Sequence, residues 1–349
     1  MVAGRPVGVE RPVRSLLALS AAVLCSCGGA APQAAADTWR LELADLDAAL
    51  LSVAPLDATS LITVGGPLLG VGPPALYRKT ASEPWAALSP PPGWLGAAWW
   101  AHAVGPDDVW VVGARLQIAR GRPDALALLP LPPIPSATVA TLYGVWGASA
   151  DDVWAVGGSP NDATGPSGVI LHWDGTSLRR VPLTGTASTA ARETLFKVWG
   201  ASSTDVHVVG SGGTALHWDG GGWSRLETGT HDRLLTVHGR SAGEVYAVGG
   251  NAQGVVLRYD GARWGQFGPT DLPPLNGVHA GAELWVAGIG GFLAKAGGDW
   301  PSVADGLFGR DLHGVWSGPS GTYAAGGQLV VEPGSRRGLI GRFGPAEGP

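Results

Sequence analysis

The chain has 349 residues, among them 56 glycines, 28 prolines and 16 tryptophans, and only 15% of its residues are charged. This composition is typical of many short, buried strands joined by turns, and it excludes a disordered chain. The net charge of −5, without any block of like charges, excludes the basic surface that nucleic-acid binding needs. We therefore predict an ordered, largely β protein that binds no nucleic acid.

The N-terminal residues have the features of a targeting segment. Three arginines lie within the first fourteen residues, and the apolar stretch 16–24 that follows is too short to span a bilayer. The sequence Leu24-Cys25-Ser26-Cys27 then resembles the lipobox of bacterial lipoproteins. This resemblance implies a signal peptide over residues 1–26 and a lipidated Cys27 with a short tether over 27–37. The alternative is a plain secretory signal with two incidental cysteines.

The residue after Cys27 is Gly28 rather than Asp, which in that lipoprotein family implies sorting to the outer membrane, on its periplasmic or surface-exposed side. Cleavage would leave Cys27 as the only cysteine, so we expect neither a disulfide nor a thiol catalyst. We expect the protein to contact the membrane through the lipid alone, because several acyl chains anchor a protein stably.

From residue 50 to residue 343 the sequence repeats one unit seven times. Residues 142–157 and 195–210 show it best, because both contain Val-Trp-Gly-Ala-Ser followed by Asp-Val and a final Val-Gly. One glycine marks each copy at intervals of 38 to 53 residues: Gly65, Gly113, Gly157, Gly210, Gly249, Gly288 and Gly326. This period suits a four-stranded propeller blade and is too long for a leucine-rich repeat.

Each unit contains up to four predicted strands. Strand a usually begins with leucine, strand b ends at the marker glycine, strand c ends near an aromatic residue, and strand d begins at a tryptophan such as Trp223 or Trp264. Asp-Gly turns at Asp219 and Asp260 separate c from d, because a tight hairpin needs positive φ angles there. We predict an all-β, seven-bladed β-propeller of four-stranded antiparallel blades over residues 38–345.

The last copy stops after its third strand, at Phe343. A spare alternating segment at residues 39–43 precedes the first copy and is similar to a fourth strand. We predict that this N-terminal strand completes the seventh blade, because pairing the two ends of the chain removes an open sheet edge.

The repeated Val-Trp-Gly-Ala-Ser and Asp-Val-Trp-Ala-Val-Gly elements resemble those of propeller lipoproteins from high-GC bacteria. More distantly, they are similar to photosystem II assembly-factor-like, Asp-box (sialidase-type) and kelch propellers. The resemblance covers nearly all of residues 39–343. It implies a propeller fold for the whole repeat region, and its sialidase-type members imply an activity toward glycans.

One position of strand a carries a column of aromatic or imidazole side chains: His102, Trp146, Trp199, His238, His279 and Trp316. Histidines from neighbouring blades could converge on a metal near the axis, because imidazole is a frequent ligand of divalent metals. Alternatively, Trp and His exchange at a half-buried position where each fills space and offers one N–H group. Three of the six are tryptophans, which cannot bind a metal, so we predict no metal site and no cofactor.

Carboxylates recur near the turn between strands a and b: Asp107, Asp108, Asp151, Asp152, Asp205 and Glu244. They could be calcium ligands or acid/base pairs, but Asp in a tight turn commonly caps backbone amides, and we interpret them as turn caps. His172 and His217, at one position of strand c, are interpreted as structural. No catalytic triad, His-Glu-x-x-His, phosphate-loop lysine or CxxC motif occurs, so we predict no catalytic residues.

Loop length differs between the two ends of the predicted blades. The a–b and c–d turns are short, whereas the b–c and d–a connections vary in length, and function usually resides in such loops. Charged pairs precede strand a at the channel mouth on the variable side: Arg192, Glu193, Asp232, Arg233, Arg310 and Asp311. Arginines there suit carboxylate or sugar-acid ligands. The alternative is local ion pairing on a solvated loop.

We predict a monomeric, envelope-anchored scaffold that binds an envelope protein or a glycan through its loop-rich face and is not an enzyme. The alternative is a glycan-binding or glycan-cleaving propeller of the sialidase or lyase type. Its candidate carboxylates would be Glu193, Asp232 and Asp311, and two of them within about 10 Å beside a deep pocket would favour a hydrolase.

Overall fold

Short antiparallel strands build the whole repeat region, as its alternating apolar pattern and frequent turns require. The computed structural model describes residues 37–67, 72–134, 140–159, 167–304, 309–329 and 337–345. The predicted signal peptide, Cys27 and all but the last residue of the tether lie outside these ranges. Within them, no helix has the length and apolar character needed to cross a bilayer.

The strands are numbered in chain order. The first thirteen are β1 (Asp37–Leu46), β2 (Ala49–Pro55), β3 (Leu61–Gly66), β4 (Ala75–Lys79), β5 (Ala86–Ala87), β6 (Ala98–Gly105), β7 (Asp108–Gly113), β8 (Ile118–Arg122), β9 (Ala125–Leu128), β10 (Thr141–Ser149), β11 (Asp152–Gly158), β12 (Val169–Trp173) and β13 (Leu178–Arg180). The others are β14 (Leu195–Ser202), β15 (Asp205–Gly210), β16 (Ala215–Trp218), β17 (Trp223–Leu226), β18 (Leu234–Ser241), β19 (Glu244–Gly249), β20 (Val255–Tyr259), β21 (Trp264–Gln266), β22 (Leu275–Ala280), β23 (Leu284–Gly288), β24 (Leu293–Lys295), β25 (Leu312–Gly318), β26 (Gly321–Gly326) and β27 (Gly338–Pro345). Among the connections that the structure describes, two contain short 3-10 helices, Gly185–Arg192 and Ile289–Gly291.

The described strands form seven antiparallel sheets, which confirms the predicted seven-bladed β-propeller. From the centre outward the blades are β2-β3-β4-β5, β6-β7-β8-β9, β10-β11-β12-β13, β14-β15-β16-β17, β18-β19-β20-β21, β22-β23-β24 and β25-β26-β27-β1. In blade 6 the fourth strand is reduced to one bridge between Ala294 and Ser302. Blade 6 differs from the other blades only at this outer edge, and its three inner strands are arranged as in the other blades.

The outer strand of blade 7 is β1, which pairs antiparallel with β27 and places Trp39 opposite Phe343. The two rings pack with their centroids 5.2 Å apart. Glu42 of β1 also accepts a hydrogen bond from Lys79 Nζ of blade 1 at 2.6 Å. The N-terminal end of the described chain is therefore tied to both blades that meet at the closure.

The first strands form a closed ring, because each of them contacts the first strand of both neighbouring blades. The apolar core lies between blades. Leu142 and Val145 of β10, for example, pack against Val112 and Ile118 of blade 2, and all four are buried. Burial of apolar surface contributes about 25 cal/mol per Å², so each blade is stabilised mainly by its two neighbours.

The seven marker glycines share one packing requirement. Each lies at or next to the end of strand b, opposite a backbone carbonyl oxygen at the start of strand a, that of the residue just before the leading leucine or, in blade 2, before Ala98. A Cβ added at any of the seven would lie within 2.5 Å of that oxygen. The repeated glycine therefore permits the close approach of strands a and b.

The two ends of the blades differ in their turns. At one end, which we call the loop face, b–c and d–a connections bond to each other, as in the 2.9 Å hydrogen bond from Gly213 N to Asp232 O. At the other end, the turn face, the side chains of Asp174, Asp219 and Asp260 each accept two backbone N–H groups of their c–d turns. The turn face is thus made of tight, internally bonded turns.

Candidate functional site

Two of the three acidic residues predicted for the channel mouth form hydrogen bonds between connections of the loop face. Glu193 Oε2 accepts a hydrogen bond from Ser211 Oγ at 2.6 Å, and Asp311 Oδ1 accepts one from Gly290 N at 2.9 Å. Each bond joins a d–a connection to a b–c connection. No hydrogen bond or ion pair links Glu193, Asp232 and Asp311 to one another within the described ranges. The structure therefore places all three on the loop face without joining them into one site.

Arg310 is held by the closure of the ring. Its guanidinium donates to Arg337 O and to Asp45 Oδ1, both at 3.1 Å, and its side chain is only 18% exposed. Because Asp45 belongs to β1, these bonds tie the start of blade 7 to its outer strand. The side chain of Arg310 therefore has a structural role at this place.

Arg192 and Arg233 are the exposed members of the charged pairs predicted for the channel mouth. Arg192 ends the 3-10 helix Gly185–Arg192, and its side chain makes no hydrogen bond to the residues that the structure describes. Arg233 Nε donates to Gly250 O at 3.1 Å. Two guanidinium groups on neighbouring blades are therefore accessible from the loop face, and their role in binding stays a prediction.

Aromatic side chains lie at the end of the channel where the first strands begin. Trp99, Tyr143 and Phe196 occupy equivalent positions near the start of β6, β10 and β14. The ring centroids are 4.8 Å apart for Trp99 and Tyr143 and 5.5 Å apart for Tyr143 and Phe196, both in edge-to-face geometry. We call these three residues the aromatic arc. They form a continuous apolar surface across blades 2 to 4.

The rest of the mouth differs from the arc. The equivalent residues are Leu51 and Leu235 in blades 1 and 5, and Asn276 and His313 in blades 6 and 7. Asn276 Nδ2 donates to Leu312 O at 3.0 Å, and His313 Nε2 lies 2.8 Å from Gly327 O. Burial lowers the pKa of His313. The mouth is consequently apolar over five blades and polar over two.

A buried cation lies beside the aromatic arc. Lys197 follows Phe196 and is 8% exposed. Its Nζ donates to Tyr143 O at 2.8 Å and lies 4.3 Å from the centroid of the Trp100 ring. Burial lowers the pKa of Lys197 to about 7. The sequence analysis did not predict a role for Lys197. The repeat nevertheless marks this residue as unusual, because blade 3 has Gly144 at the same position.

The predicted His and Trp column lies further along the first strands and joins neighbouring blades. The backbone N–H groups of Ala280 and Ser317 donate to His238 Nδ1 and His279 Nδ1, both at 3.2 Å, and each donor belongs to the next blade. Burial lowers the pKa of His279 to about 4 and that of His102 also to about 4. These histidines are neutral at pH 7 and act in blade contacts.

Two tryptophans of the same column, Trp146 and Trp199, each contact a glycine of the next blade. A Cβ at Gly200 would lie 2.5 Å from Trp146 Cη2, and one at Gly239 would lie 2.6 Å from Trp199 Cη2. In blades 3 to 5, therefore, the indole of one blade covers the glycine of the following blade. These contacts support the structural interpretation of the column.

The interpretation of the a–b carboxylates as turn caps is wrong for Glu244, which accepts hydrogen bonds from the side chains of Arg240 and Tyr246, and for three of the aspartates. As the first residue of strand b, each of these aspartates bonds across the blade to a cationic or imidazole side chain of strand c. The distances are 2.7 Å for Asp108 Oδ1 to Arg120 Nε, 2.6 Å for Asp152 Oδ1 to His172 Nε2 and 2.6 Å for Asp205 Oδ1 to His217 Nε2. The physical reason is register, because the pleat directs both side chains to the same face of the blade.

A depression of about 250 Å³ lies on the loop face of blade 6. Its described lining consists of Pro273, Ile289, Gly290, Gly291, Phe292, Ser302 and Ala304. This lining includes no carboxylate, so the depression does not bring the acidic candidates together.

Comparisons with known proteins agree with the architecture. No protein-family model and no curated protein sequence matches the chain. Among solved structures, the chain is similar to YCF48 bound to a D1 peptide, with a TM-score of 0.61, 14% identity, and coverage of 88% of this chain and 96% of that chain. It is also similar to the WD40 β-propeller domain of Doa1, with a TM-score of 0.61, 11% identity, and coverage of 88% and 97%. Identities this low show the fold alone, and that fold is the β-propeller.

Proposed function

We propose that this propeller is a non-catalytic binding scaffold that holds a segment of a partner protein at the channel mouth on its loop face. The aromatic arc carries the proposal. Trp99 and Phe196 are only half-buried, so part of each ring is open to a partner, while Tyr143 between them is buried. Large aromatic side chains held in a fixed arrangement contribute most to binding in protein interfaces.

The charges around the arc favour a partner segment that combines an apolar side chain with a carboxylate. Lys197 Nζ donates to one carbonyl oxygen, which leaves two N–H groups of an ammonium for a ligand. Arg192 and Arg233 add accessible guanidinium groups on the same face, and guanidinium binds carboxylate in bidentate fashion. A carboxylate near Lys197 would also keep the lysine charged.

The peptide complex of YCF48 supports a peptide as the type of ligand, because that neighbour shares the fold over most of both chains. We further propose that the scaffold is held at the cell envelope, in the outer membrane, by a lipid on Cys27. The lipobox resemblance of residues 24–27 supports this anchor.

Capture of partner proteins from solubilised cell envelopes tests the scaffold. The double variant Trp99→Ala and Phe196→Ala should capture at least about 10-fold less partner than the unmodified protein, because truncating central aromatic anchors costs 2 kcal/mol or more. Trp218→Ala is the matched control, since this half-buried tryptophan lies at the opposite end of its blade. Equal capture by a folded double variant would contradict the proposal.

The same capture experiment also tests the lipid anchor on Cys27. A Cys27→Ser variant should leave the membrane fraction while its soluble form still captures the partner. Retention of that variant in the membrane fraction would refute the lipid anchor, and it would leave the proposal for the binding surface unaffected.

A further inference from the structure

Blade 4 brings two imidazoles and a carboxylate together near the turn face. Asp205 and His207 lie two residues apart on β15, so their side chains share one face of the strand. His217 of β16 is directly opposite His207 in the antiparallel register. One donor atom from each residue lies within 4.8 Å of the others, and this is the only such cluster of three His, Cys, Asp or Glu residues within the described parts of the chain.

Polar atoms in this cluster are buried without partners. The His207 side chain is 1% exposed, and neither of its ring nitrogens has a hydrogen-bond partner, although Nε2 lies 3.2 Å from Asp205 Oδ1. Asp205 Oδ2 is likewise buried and unpartnered within the described structure. Buried polar groups normally have partners, because the loss of hydration without a compensating hydrogen bond is unfavourable. The cluster therefore has the donor atoms of a ligand site whose bonds are incomplete.

The donor set matches a divalent metal. Imidazole nitrogen and carboxylate oxygen bind Zn²⁺ at about 2.0–2.2 Å, which places tetrahedral ligand atoms about 3.3 Å apart. The separation of Asp205 Oδ1 and His207 Nε2 is 3.2 Å, and that of Asp205 Oδ1 and His217 Nε2 is 2.6 Å. At 2.6 Å a proton must lie between the two atoms, and a metal ion would replace it with a shift of less than about 1 Å.

The surroundings leave one side of the cluster open. The rings of Tyr259 and Trp264 from blade 5 cover His207, with centroids 5.0 and 6.0 Å from its ring. The side chains of Asp205 and His217 remain 16% and 21% exposed. Three protein ligands with access to solvent would leave the fourth position of a tetrahedral ion to water or to another ligand.

The other blades show that the common framework does not require this cluster. At the position of His207 they have Ile62, Trp110, Trp154, Tyr246, Trp285 and Tyr323, none of which offers an imidazole. Blade 3 even retains the Asp–His pair, with Asp152 Oδ1 and His172 Nε2 2.6 Å apart, beside Trp154. We propose that Asp205, His207 and His217 form a binding site for a first-row divalent cation of the zinc type, independent of the binding surface on the loop face.

Zinc titration of the full chain, purified without a histidine tag and first treated with a chelator, tests the site. We expect one Zn²⁺ bound through this cluster, and about 100-fold weaker binding at it in His207→Trp and in Asp205→Asn, because each variant removes one of three ligands. His207→Trp reproduces the side chain that blades 2, 3 and 6 have at this position, and Asp205→Asn keeps the shape of the carboxylate. Cys25 and Cys27 are present in every variant, so any zinc that they bind is common to all titrations.

His172→Gln is the control, because it breaks the Asp–His pair of blade 3, which has no second imidazole. Its zinc affinity should equal that of the unmodified protein. The melting temperature should rise with zinc in the unmodified protein and in His172→Gln, but not in the two blade-4 variants, since a ligand of the folded state stabilises it. Equal zinc affinity in the unmodified protein and in a folded His207→Trp or Asp205→Asn variant would overturn the proposal. An equal loss of affinity in His172→Gln would also overturn it.

Discussion

Blades 3 and 4 share most of their repeat and the same strand pairing, yet they present different chemistry. Trp154 stacks on His172 in blade 3, where blade 4 has His207 beside His217. The first strand of blade 3 has Gly144 where blade 4 has Lys197. One backbone therefore carries two sets of side chains. A position that recurs in every blade belongs to the framework, whereas a position at which one copy carries a different residue is a candidate for a separate function.

The largest effect on stability that distinguishes the two blades is expected from Lys197. Only blade 4 has a lysine at this position of its first strand. Its pKa is about 7 in the folded protein and has an ordinary value of 10.5. Between these values the unfolded chain binds more protons, so stability rises with pH. From pH 7 to pH 10 the unmodified protein should gain about 3 kcal/mol of unfolding free energy relative to Lys197→Met.

Urea denaturation of both proteins at several pH values measures this gain. Below pH 7 lysine is charged in both the folded and the unfolded state, so the difference between the two proteins should become constant there. Parallel stability curves from pH 7 to pH 10 would show that Lys197 keeps an ordinary pKa, and they would contradict the lowered pKa that its burial produces.

A smaller effect is expected at the matching position of blade 3. A Cβ at Gly144 would lie 2.9 Å from both Lys197 Cα and Phe196 O, which are backbone atoms of the next blade. Gly144→Ala must separate two first strands and should cost about 2 kcal/mol, as overpacking of a tight contact does. Thermal unfolding measures it against Gly265→Ala, where an added Cβ would meet nothing within 4 Å. Equal melting temperatures for the two variants would refute the close packing of blades 3 and 4.

Much of the fold could be predicted from the sequence, because the repeat reports packing that every blade shares. The marker glycines predict where strand b ends, since each permits the same close approach of a carbonyl oxygen. The Asp-Gly turns are confirmed in detail, with φ of 90° at Gly220 and 95° at Gly261. Local patterns sufficed where the physical cause was local.

The candidate site was harder to predict, because it depends on register between strands and on contacts between blades. The interpretation of Asp205 as a turn cap was wrong because His217 lies on the same face of the blade. Only the pairing of β15 with β16 reveals this arrangement. The hairpin between these strands contained the signal, since its register places His207 opposite His217. The aromatic arc crosses three blades, and no spacing along the chain indicates that its rings touch.

The central claim is that a partner protein binds at the loop face and not at the turn face. A photo-cross-linking residue in place of Arg192 or of Arg233 samples the first face in intact cells. The same residue in place of Arg263, whose side chain is 86% exposed in a c–d turn, samples the second. We predict a discrete cross-linked partner from the two loop-face positions and none from Arg263. Cross-links of equal yield from Arg263, or from Arg263 alone, would contradict it.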